Sequence, residues 1–307
     1  MIFITGSTGQ LGQELSRLLN DSIYTYRTFA LSEWDITDLH RSQEILDIQP
    51  DILINASAYT AVDRSEEERE IAREVNSAAV GALAEECKKR NIRFIHISTD
   101  FVFTLNPIVE DGHLRYWKTN SPTRTLGAYA ETKKQGEEFI QSVFGDSPNY
   151  HIIRTSWLYS SFGMNFPRTI LRLLKDPSRK ELKVIEDQIG RPTWAFRLAE
   201  FLLNLIASIH KKDGNLKPIY HFSNSGIASW YDFAVAVQEI GLKKGILKEK
   251  KLILPIPTEA YPTPAVRPRF SVMDLSESYE LMEKIPHWRE DLELCLGDPK
   301  TILGWNV

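Results

Sequence analysis

The 307-residue sequence has little of what marks several specialised classes of protein. Its two cysteines, Cys87 and Cys295, are too few for a disulfide framework and lack metal-ligand spacing, which favours a reducing cytoplasm. The net charge of -4 argues against binding nucleic acid through bulk electrostatics. No stretch approaches the ~18 apolar residues of a membrane span. The opening residues, MIFITGSTGQ, lack the basic and long apolar regions of a signal peptide. We expect a globular cytoplasmic protein that binds neither nucleic acid nor a membrane.

Short apolar runs alternate with helical segments through the first half of the chain. The runs MIFIT, DSIYTYRTFA, DILINASA, RFIHIST and NYHIIRTS predict five strands. Strands separated by helices form parallel βαβ units, so the predicted fold class is α/β, a doubly wound, Rossmann-like parallel sheet. The second half is less regular and predicts a smaller mixed α/β lobe for the substrate. We place the dinucleotide-binding core at residues 1–157 and the lobe mainly at 158–307, with part of the later chain returning to the core.

A glycine-rich turn, ITGSTGQLG, follows the first strand and precedes the first helix. Gly6, Gly9 and Gly12 allow a pyrophosphate to approach the backbone, and the helix N-terminus offers it unpaired N–H groups. The spacing differs from the G-x-G-x-x-G fingerprint, and a simple tight turn is the alternative, but the strand–turn–helix context predicts dinucleotide binding. Arg27, near the end of the second strand, favours NADPH because arginine accommodates a 2'-phosphate. A lone surface arginine is as often only solvated, which leaves NADH open.

The stretch SPTRTLGAYAETKKQGEEF carries Tyr129 and Lys133 four positions apart, on one face of a predicted helix. This pair alone is weak evidence. Thr99 strengthens it, because it ends the fourth strand, where a parallel sheet faces its ligand crevice. A free phenol, with a pKa of about 10, is a poor base at neutral pH. We expect the ammonium of Lys133 to lower the pKa of Tyr129, so that Tyr129 exchanges a proton with a carbonyl oxygen hydrogen-bonded by Thr99.

Together these motifs resemble the extended short-chain dehydrogenase/reductase superfamily. Longer segments are similar to one of its families, the dTDP-4-dehydrorhamnose reductases: NASAYTAVD, STDFVF, AYAETKKQGEEF, RTSW, EDQIGRPTW and YPTPAVRP. The similar segments run over nearly the whole chain. The resemblance implies reduction of the 4-keto group of dTDP-4-dehydro-L-rhamnose by NADPH or NADH, in nucleotide-sugar and cell-surface polysaccharide synthesis.

The resemblance also implies roles for individual residues. Tyr129 would donate the proton and Lys133 would bind the nicotinamide ribose, with Thr99 as the third catalytic residue. Trp157 would touch the sugar, although a tryptophan is more often simply buried. The expected cofactor-binding residues are Gly6, Gly9, Gln10, Leu11, Gly12, Arg27, Asp35, Ile36, Ala58, Tyr59, Thr60, Tyr129 and Lys133. The expected substrate-binding residues are Thr99, Asp100, Phe101 and Trp157.

The sequence departs from the family pattern at three places. Phe101 stands where the family usually has tyrosine, and the loop at 104–127 matches poorly, so a reductase of another nucleotide-linked 4-keto-6-deoxy sugar is an alternative. Some relatives bind magnesium through carboxylates at a subunit interface. Glu14 matches one of these, but Phe196 replaces another, so we expect no metal. A homodimer is compatible with the sequence. A third alternative is a non-catalytic nucleotide-binding regulatory subunit of the same fold, which the intact Thr99, Tyr129 and Lys133 disfavour.

Overall fold

The structure is a computed structural model that describes residues 1–103, 109–110, 113–212 and 214–305. Its strands are β1 (Ile2–Thr5), β2 (Tyr26–Phe29), β3 (Ile52–Asn55), β4 (Arg93–Thr99), β5 (Val109–Glu110), β6 (His113–Leu114), β7 (Tyr150–Thr155), β8 (Leu158–Tyr159), β9 (Glu181–Ile185), β10 (Ile189–Gly190), β11 (Thr193–Trp194), β12 (Ile219–His221), β13 (Ala228–Ser229) and β14 (Leu252–Ile256). Its α-helices are α1 (Gln10–Leu19), α2 (Leu39–Leu46), α3 (Arg69–Arg73), α4 (Ala79–Lys89), α5 (Ala128–Phe144), α6 (Phe166–Lys175), α7 (Ala195–His210), α8 (Trp230–Lys243), α9 (Ser276–Tyr279), α10 (Trp288–Gly297) and α11 (Pro299–Trp305).

Six parallel strands form the central sheet in the order β12-β7-β4-β3-β1-β2. The first five predicted strands all belong to it, which confirms the predicted doubly wound α/β fold. β1, β3 and β7 are buried along their whole length, because helices cover both faces of a parallel sheet. The sixth strand, β12, lies in the segment PIYHFSN of the less regular second half, where the sequence predicts only short strands and loops.

Two helical layers cover the sheet. On one face, α1 and α7 bury leucines such as Leu15 and Leu202 against the isoleucines of β1 and β3. On the other face, α2, α4 and α5 bury Leu83 and Ile140 against Phe94 and Ile152. Since α7 and β12 follow residue 157, part of the later chain packs on the nucleotide-binding half. The boundary between 157 and 158 itself stays a prediction.

The rest of the second half packs around its own apolar cluster, formed mainly by α6, α8, α10 and the parallel pair β9–β14. Capping residues define the N-termini of two of these helices. Asn165 caps α6 just before Pro167, and Ser229 with Asp232 forms a capping box for α8. In the part of the chain described, no helix is both long and apolar enough to cross a membrane.

Candidate active site

A cleft of about 1010 Å³ runs along the carboxyl ends of the central strands. It contains nearly every residue that the sequence predicts for cofactor and substrate. The predicted residues that line it are Gly6, Gly9, Gln10, Leu11, Gly12, Asp35, Ile36, Ala58, Tyr59, Thr60, Thr99, Asp100, Phe101, Tyr129, Lys133 and Trp157. The roles assigned to them stay predictions, but the fold brings them to one place. Arg27 is the exception and lies outside this lining.

The glycine turn forms the floor of one end of the cleft. Gly6 has φ +71°, and a Cβ there would lie 2.8 Å from the Ala56 carbonyl group, so only glycine fits. A Cβ on Gly12 would run into the Gly6 carbonyl oxygen. Gly9 caps α1 without any side-chain hydrogen bond, which leaves the N–H groups of the first turn free of a side-chain cap. The turn therefore suits a pyrophosphate.

Among the described residues that line the cleft, no arginine is present to bind a 2'-phosphate at its outer end. Asp35 and Thr37 bond to each other there, with the Thr37 hydroxyl donating to Asp35 Oδ1 at 2.8 Å. Arg27 sits two residues before the end of β2, and its Cζ lies 4.9 Å from the centre of the Phe29 ring. Among the described residues of the lining, Lys133 carries the single basic side chain. Contact between Arg27 and a 2'-phosphate stays a prediction.

Tyr129, from the first turn of α5, lies beside Thr99 at the base of the cleft. The Phe101 ring stands edge-on against the Tyr129 ring, with centroids 5.3 Å apart. Burial raises the pKa of Tyr129 to about 12, and the nearby Asp100 carboxylate acts in the same direction. Our expectation of a lowered pKa was wrong for this state, because the Nζ of Lys133 faces His96 and the Ile97 carbonyl oxygen instead of Tyr129. Tyr129 therefore keeps its proton at neutral pH, as a proton donor must.

Lys133 lies one helical turn beyond Tyr129 and is 2% exposed. Its Nζ donates to the Ile97 carbonyl oxygen at 2.8 Å and lies 3.1 Å from Nε2 of His96. Burial lowers the pKa of Lys133 to about 8, opposed by the Glu137 carboxylate one turn further along α5. No sequence pattern had linked Lys133 to His96.

Asp100 presents a carboxylate to the cleft that is only partly satisfied. It is 2% exposed, and its Oδ1 accepts a hydrogen bond from the Thr99 hydroxyl at 3.2 Å. Its Oδ2 is buried and has no hydrogen-bond partner among the described residues. Burial raises the pKa of Asp100 to about 6, and the neighbouring Ser271 and Thr99 side chains act in the opposite direction. A buried acceptor of this kind suits a substrate hydroxyl.

Trp157 is held in a strained conformation on the opposite wall of the cleft. Its φ is +46°, in the left-handed region that a bulky residue rarely adopts. Trp230 stacks on one side of its indole, with ring centroids 3.6 Å apart, and Gly190 packs directly against the same indole. The strain is retained because these neighbours fix the ring, which is typical of functional sites.

We expect Gly190→Ala to lower kcat/KM for the sugar substrate by ~10- to 100-fold, because misplacing a contact residue by about 1 Å has effects of this order. The new Cβ would lie 2.7 Å from Cε2 of Trp157 and would displace the indole. Gly214→Ala is the control, since nothing lies within 4 Å of a Cβ at that position. An unchanged kcat/KM in a folded Gly190→Ala protein would remove Trp157 from substrate contact.

Sequence reasoning missed two contacts that hold the cleft in shape. Asn76, in a π-helical segment (Glu74–Ala78) between α3 and α4, binds both the N–H and the C=O of Tyr59, at 2.9 and 3.1 Å. The sequence of this region, REVNSAAVGALAEECKKR, predicts only a long alanine-rich helix. Arg267 and Asp63 form an ion pair of 2.7 Å. It ties the YPTPAVRP segment to the NASAYTAVD segment, although 204 residues separate the two side chains.

Glu14 lies inside the protein rather than on a surface. It is fully buried and accepts a hydrogen bond from the Ser160 hydroxyl at 2.6 Å. Burial raises its pKa, an effect that Arg17 opposes. The Arg17 guanidinium also lies 5.1 Å from the centre of the Phe196 ring.

Within the described ranges, no cluster of three or more His, Cys, Asp or Glu side chains could hold a metal ion. The expectation of no metal stays a prediction.

The fold and the cleft place the protein in the class of dinucleotide-binding oxidoreductases. Comparison with known proteins identifies the family within this class. The family model for the RmlD substrate binding domain matches residues 1–300. The dTDP-4-dehydrorhamnose reductase of Aggregatibacter actinomycetemcomitans is 38% identical, over 90% of this chain and 91% of its own. A dTDP-4-keto-6-deoxy-D-glucose reductase of Streptomyces niveus is 31% identical, over 93% of this chain and 92% of its own.

A solved structure supports the same family assignment. The dTDP-4-dehydrorhamnose reductase of Bacillus anthracis, in complex with NADP, is 32% identical and superposes with a TM-score of 0.84 over 96% of this chain and 98% of its own. The chain belongs to the RmlD family, that of the dTDP-4-dehydrorhamnose reductases. The resemblance seen in the sequence motifs is thereby confirmed.

Proposed function

We propose that this protein reduces the 4-keto group of dTDP-4-dehydro-L-rhamnose to the hydroxyl of dTDP-L-rhamnose, for use in cell-surface polysaccharide synthesis. The observation that carries the proposal is that Tyr129 and Thr99 lie side by side at the base of a cleft whose other end is a glycine turn suited to a pyrophosphate. Full-length family membership supports the substrate.

Each group of residues in the cleft has a separate role in the reaction. Bound NADPH supplies the hydride. The Tyr129 hydroxyl donates its proton to the keto oxygen. The Thr99 hydroxyl, which donates to Asp100 Oδ1 in the free protein, turns to donate its hydrogen bond to the same keto oxygen and stabilises the negative charge that develops there. The buried Oδ2 of Asp100 accepts from a neighbouring sugar hydroxyl. The floor of Gly6, Gly9 and α1 holds the pyrophosphate of the cofactor.

NADPH is the cofactor we propose, because a relative of similar structure was solved with NADP. The charges in the cleft do not strongly favour NADPH over NADH, because Arg27 lies outside the lining and Asp35 lies within it. We therefore expect NADH to be accepted as well.

The two buried free cysteines are consistent with the cytoplasm as the place of reaction. A homodimer stays a prediction.

A second candidate is reduction of a different dTDP-linked 4-keto-6-deoxy sugar. Two observations favour it: Phe101 provides no hydroxyl where the family usually has tyrosine, and the relative from Streptomyces niveus acts on such a sugar by name. The 104–127 loop, which also departs from the family, lies partly outside the described residues. A regulatory, non-catalytic role is disfavoured by the Thr99–Tyr129 contact.

The deciding experiment measures NADPH oxidation with a panel of dTDP- and UDP-linked 4-keto-6-deoxy sugars. We expect the highest kcat/KM with dTDP-4-dehydro-L-rhamnose and a product that co-elutes with dTDP-L-rhamnose. A higher kcat/KM with another sugar of the panel would favour the second candidate. Tight NADPH binding without turnover of any sugar would overturn both and favour the regulatory role.

A further inference from the structure

A row of buried polar side chains connects Lys133 to the cofactor-binding end of the sheet. Thr5 on β1, Asn55 on β3 and His96 on β4 lie side by side in the strand register. His96 Nδ1 lies 3.1 Å from Nδ2 of Asn55, and His96 Nε2 lies 3.1 Å from Nζ of Lys133. Thr5, Asn55 and His96 are fully buried. These contacts, and not solvent, therefore decide which atoms carry protons.

The direction of each hydrogen bond follows from the backbone N–H of Ser57, which can only donate. It lies 3.1 Å from Oδ1 of Asn55, and the Thr5 hydroxyl donates to the same oxygen at 2.8 Å. The amide nitrogen of Asn55 must therefore face His96 and donate to Nδ1. A neutral imidazole that accepts at Nδ1 carries its proton at Nε2. Burial keeps His96 neutral by lowering its pKa well below the ordinary value.

The Nε2–H of His96 points at Nζ of Lys133. An ammonium group also only donates, so the charged lysine would set two donors against each other at 3.1 Å. An uncharged amine accepts the Nε2–H on its lone pair and still donates to the Ile97 carbonyl oxygen, 2.8 Å away. The contact therefore selects the uncharged form of Lys133.

The other charged and titratable groups around Lys133 do not reverse this selection. Tyr129 and Glu137 share helix α5 with it, and Arg154 faces the site from β7. The Glu137 carboxylate favours the charged lysine, but its oxygens are already bound by Arg154 and by the Ser98 hydroxyl. Burial acts in the same direction as His96 and outweighs Glu137.

We propose that His96 is a positioning residue that stabilises the uncharged amine of Lys133, and that Asn55 sets the tautomer with which it does so. Lys133 then loses its proton within a few pH units of neutrality, whereas a lysine in water stays charged to about pH 10. One consequence rests on the proposed function: if the charged lysine is needed for turnover, its loss of a proton limits activity on the alkaline side.

The tautomer can be observed directly, without any assay of activity. Long-range ¹H–¹⁵N spectra of protein labelled at its seven histidines distinguish Nδ1–H from Nε2–H imidazoles. We expect one histidine that stays neutral with its proton on Nε2 from pH 5 to 9. This signal should disappear in His96→Gln and shift in Lys133→Met. A proton on Nδ1, or titration of His96 at an ordinary pKa, would overturn the proposal.

The alkaline limb of the kcat/KM profile gives a second test. In His96→Gln the amide oxygen can accept from the ammonium group, so we expect the limb to move up by roughly one pH unit. His151→Gln is the matched control, because His151 is also buried on a central strand but bonds to the Lys217 carbonyl oxygen. If Lys133→Met removes the alkaline limb, so that the limb reports on Lys133, then an unmoved limb in His96→Gln or an equal shift in both histidine variants contradicts the proposal. If it does not, the histidine spectrum alone decides.

The two tests separate the inference from the proposed function. If the protein turns over none of the sugars but His96 carries its proton on Nε2, the function is wrong and the inference about His96 stands. If turnover is normal but His96 carries its proton on Nδ1, the proposed function stands and the inference about His96 is wrong. Should His96→Gln fail to fold, the spectrum of the unaltered protein, with Lys133→Met for assignment, still decides.

Discussion

Tyr129→Phe is expected to lower kcat by ~10²- to 10⁴-fold, the usual contribution of a positioned general acid. The variant loses only the hydroxyl beside Thr99, while the remaining phenyl ring still packs edge-on against Phe101. Because burial raises the pKa of Tyr129 to about 12, the residue is protonated throughout the neutral range and serves as a donor. The measurement is steady-state NADPH oxidation with the preferred sugar.

Two controls make the result specific. NADPH affinity, measured by titration calorimetry, should stay within a few-fold of the unaltered protein. Tyr159→Phe removes another buried phenol hydroxyl, one that lies 3.5 Å from the Trp288 carbonyl oxygen in the second lobe and outside the cleft. It should leave kcat nearly unchanged. Full turnover in Tyr129→Phe would exclude the phenol from the reaction.

Arg154→Leu is expected to lower the free energy of unfolding by ~3–5 kcal/mol, because it leaves a carboxylate buried without its partner. Arg154 Nη2 donates to Glu137 at 2.7 Å and Nε donates at 3.0 Å, and both side chains are less than 5% exposed. The double variant Arg154→Leu/Glu137→Leu should be more stable than the single one, since no buried charge remains. Urea denaturation followed by circular dichroism measures both.

The same helix provides a matched exposed pair. Lys134 and Glu138 lie 3.1 Å apart, with their side chains 29% and 55% exposed. Glu138→Gln should change the free energy of unfolding by about 0.5 kcal/mol or less, because water screens an exposed ion pair. Comparable losses in Arg154→Leu and Glu138→Gln would contradict the role given to burial.

Much of the site could be predicted because local sequence patterns encode it. Gly6, Gly9 and Gly12 occur between a strand and a helix, and at Gly6 and Gly12 the close backbone contacts admit no larger residue. Tyr129 and Lys133 share a helix face by their spacing alone. The ends of parallel strands converge on one edge of the sheet, so Thr99 was expected there as well. Each of these inferences needs only a few neighbouring residues.

What the sequence by itself determined was therefore the order of strands and helices and the set of residues at the strand ends. Only the tertiary structure decided which partners those residues meet. Lys133 faces His96 rather than Tyr129, Arg27 lies outside the cleft, and β12 completes the sheet from beyond residue 200. The physical reason is that local periodicity specifies which face of an element is buried. The contact across that face depends on how distant elements pack, and burial then sets the protonation of the groups enclosed.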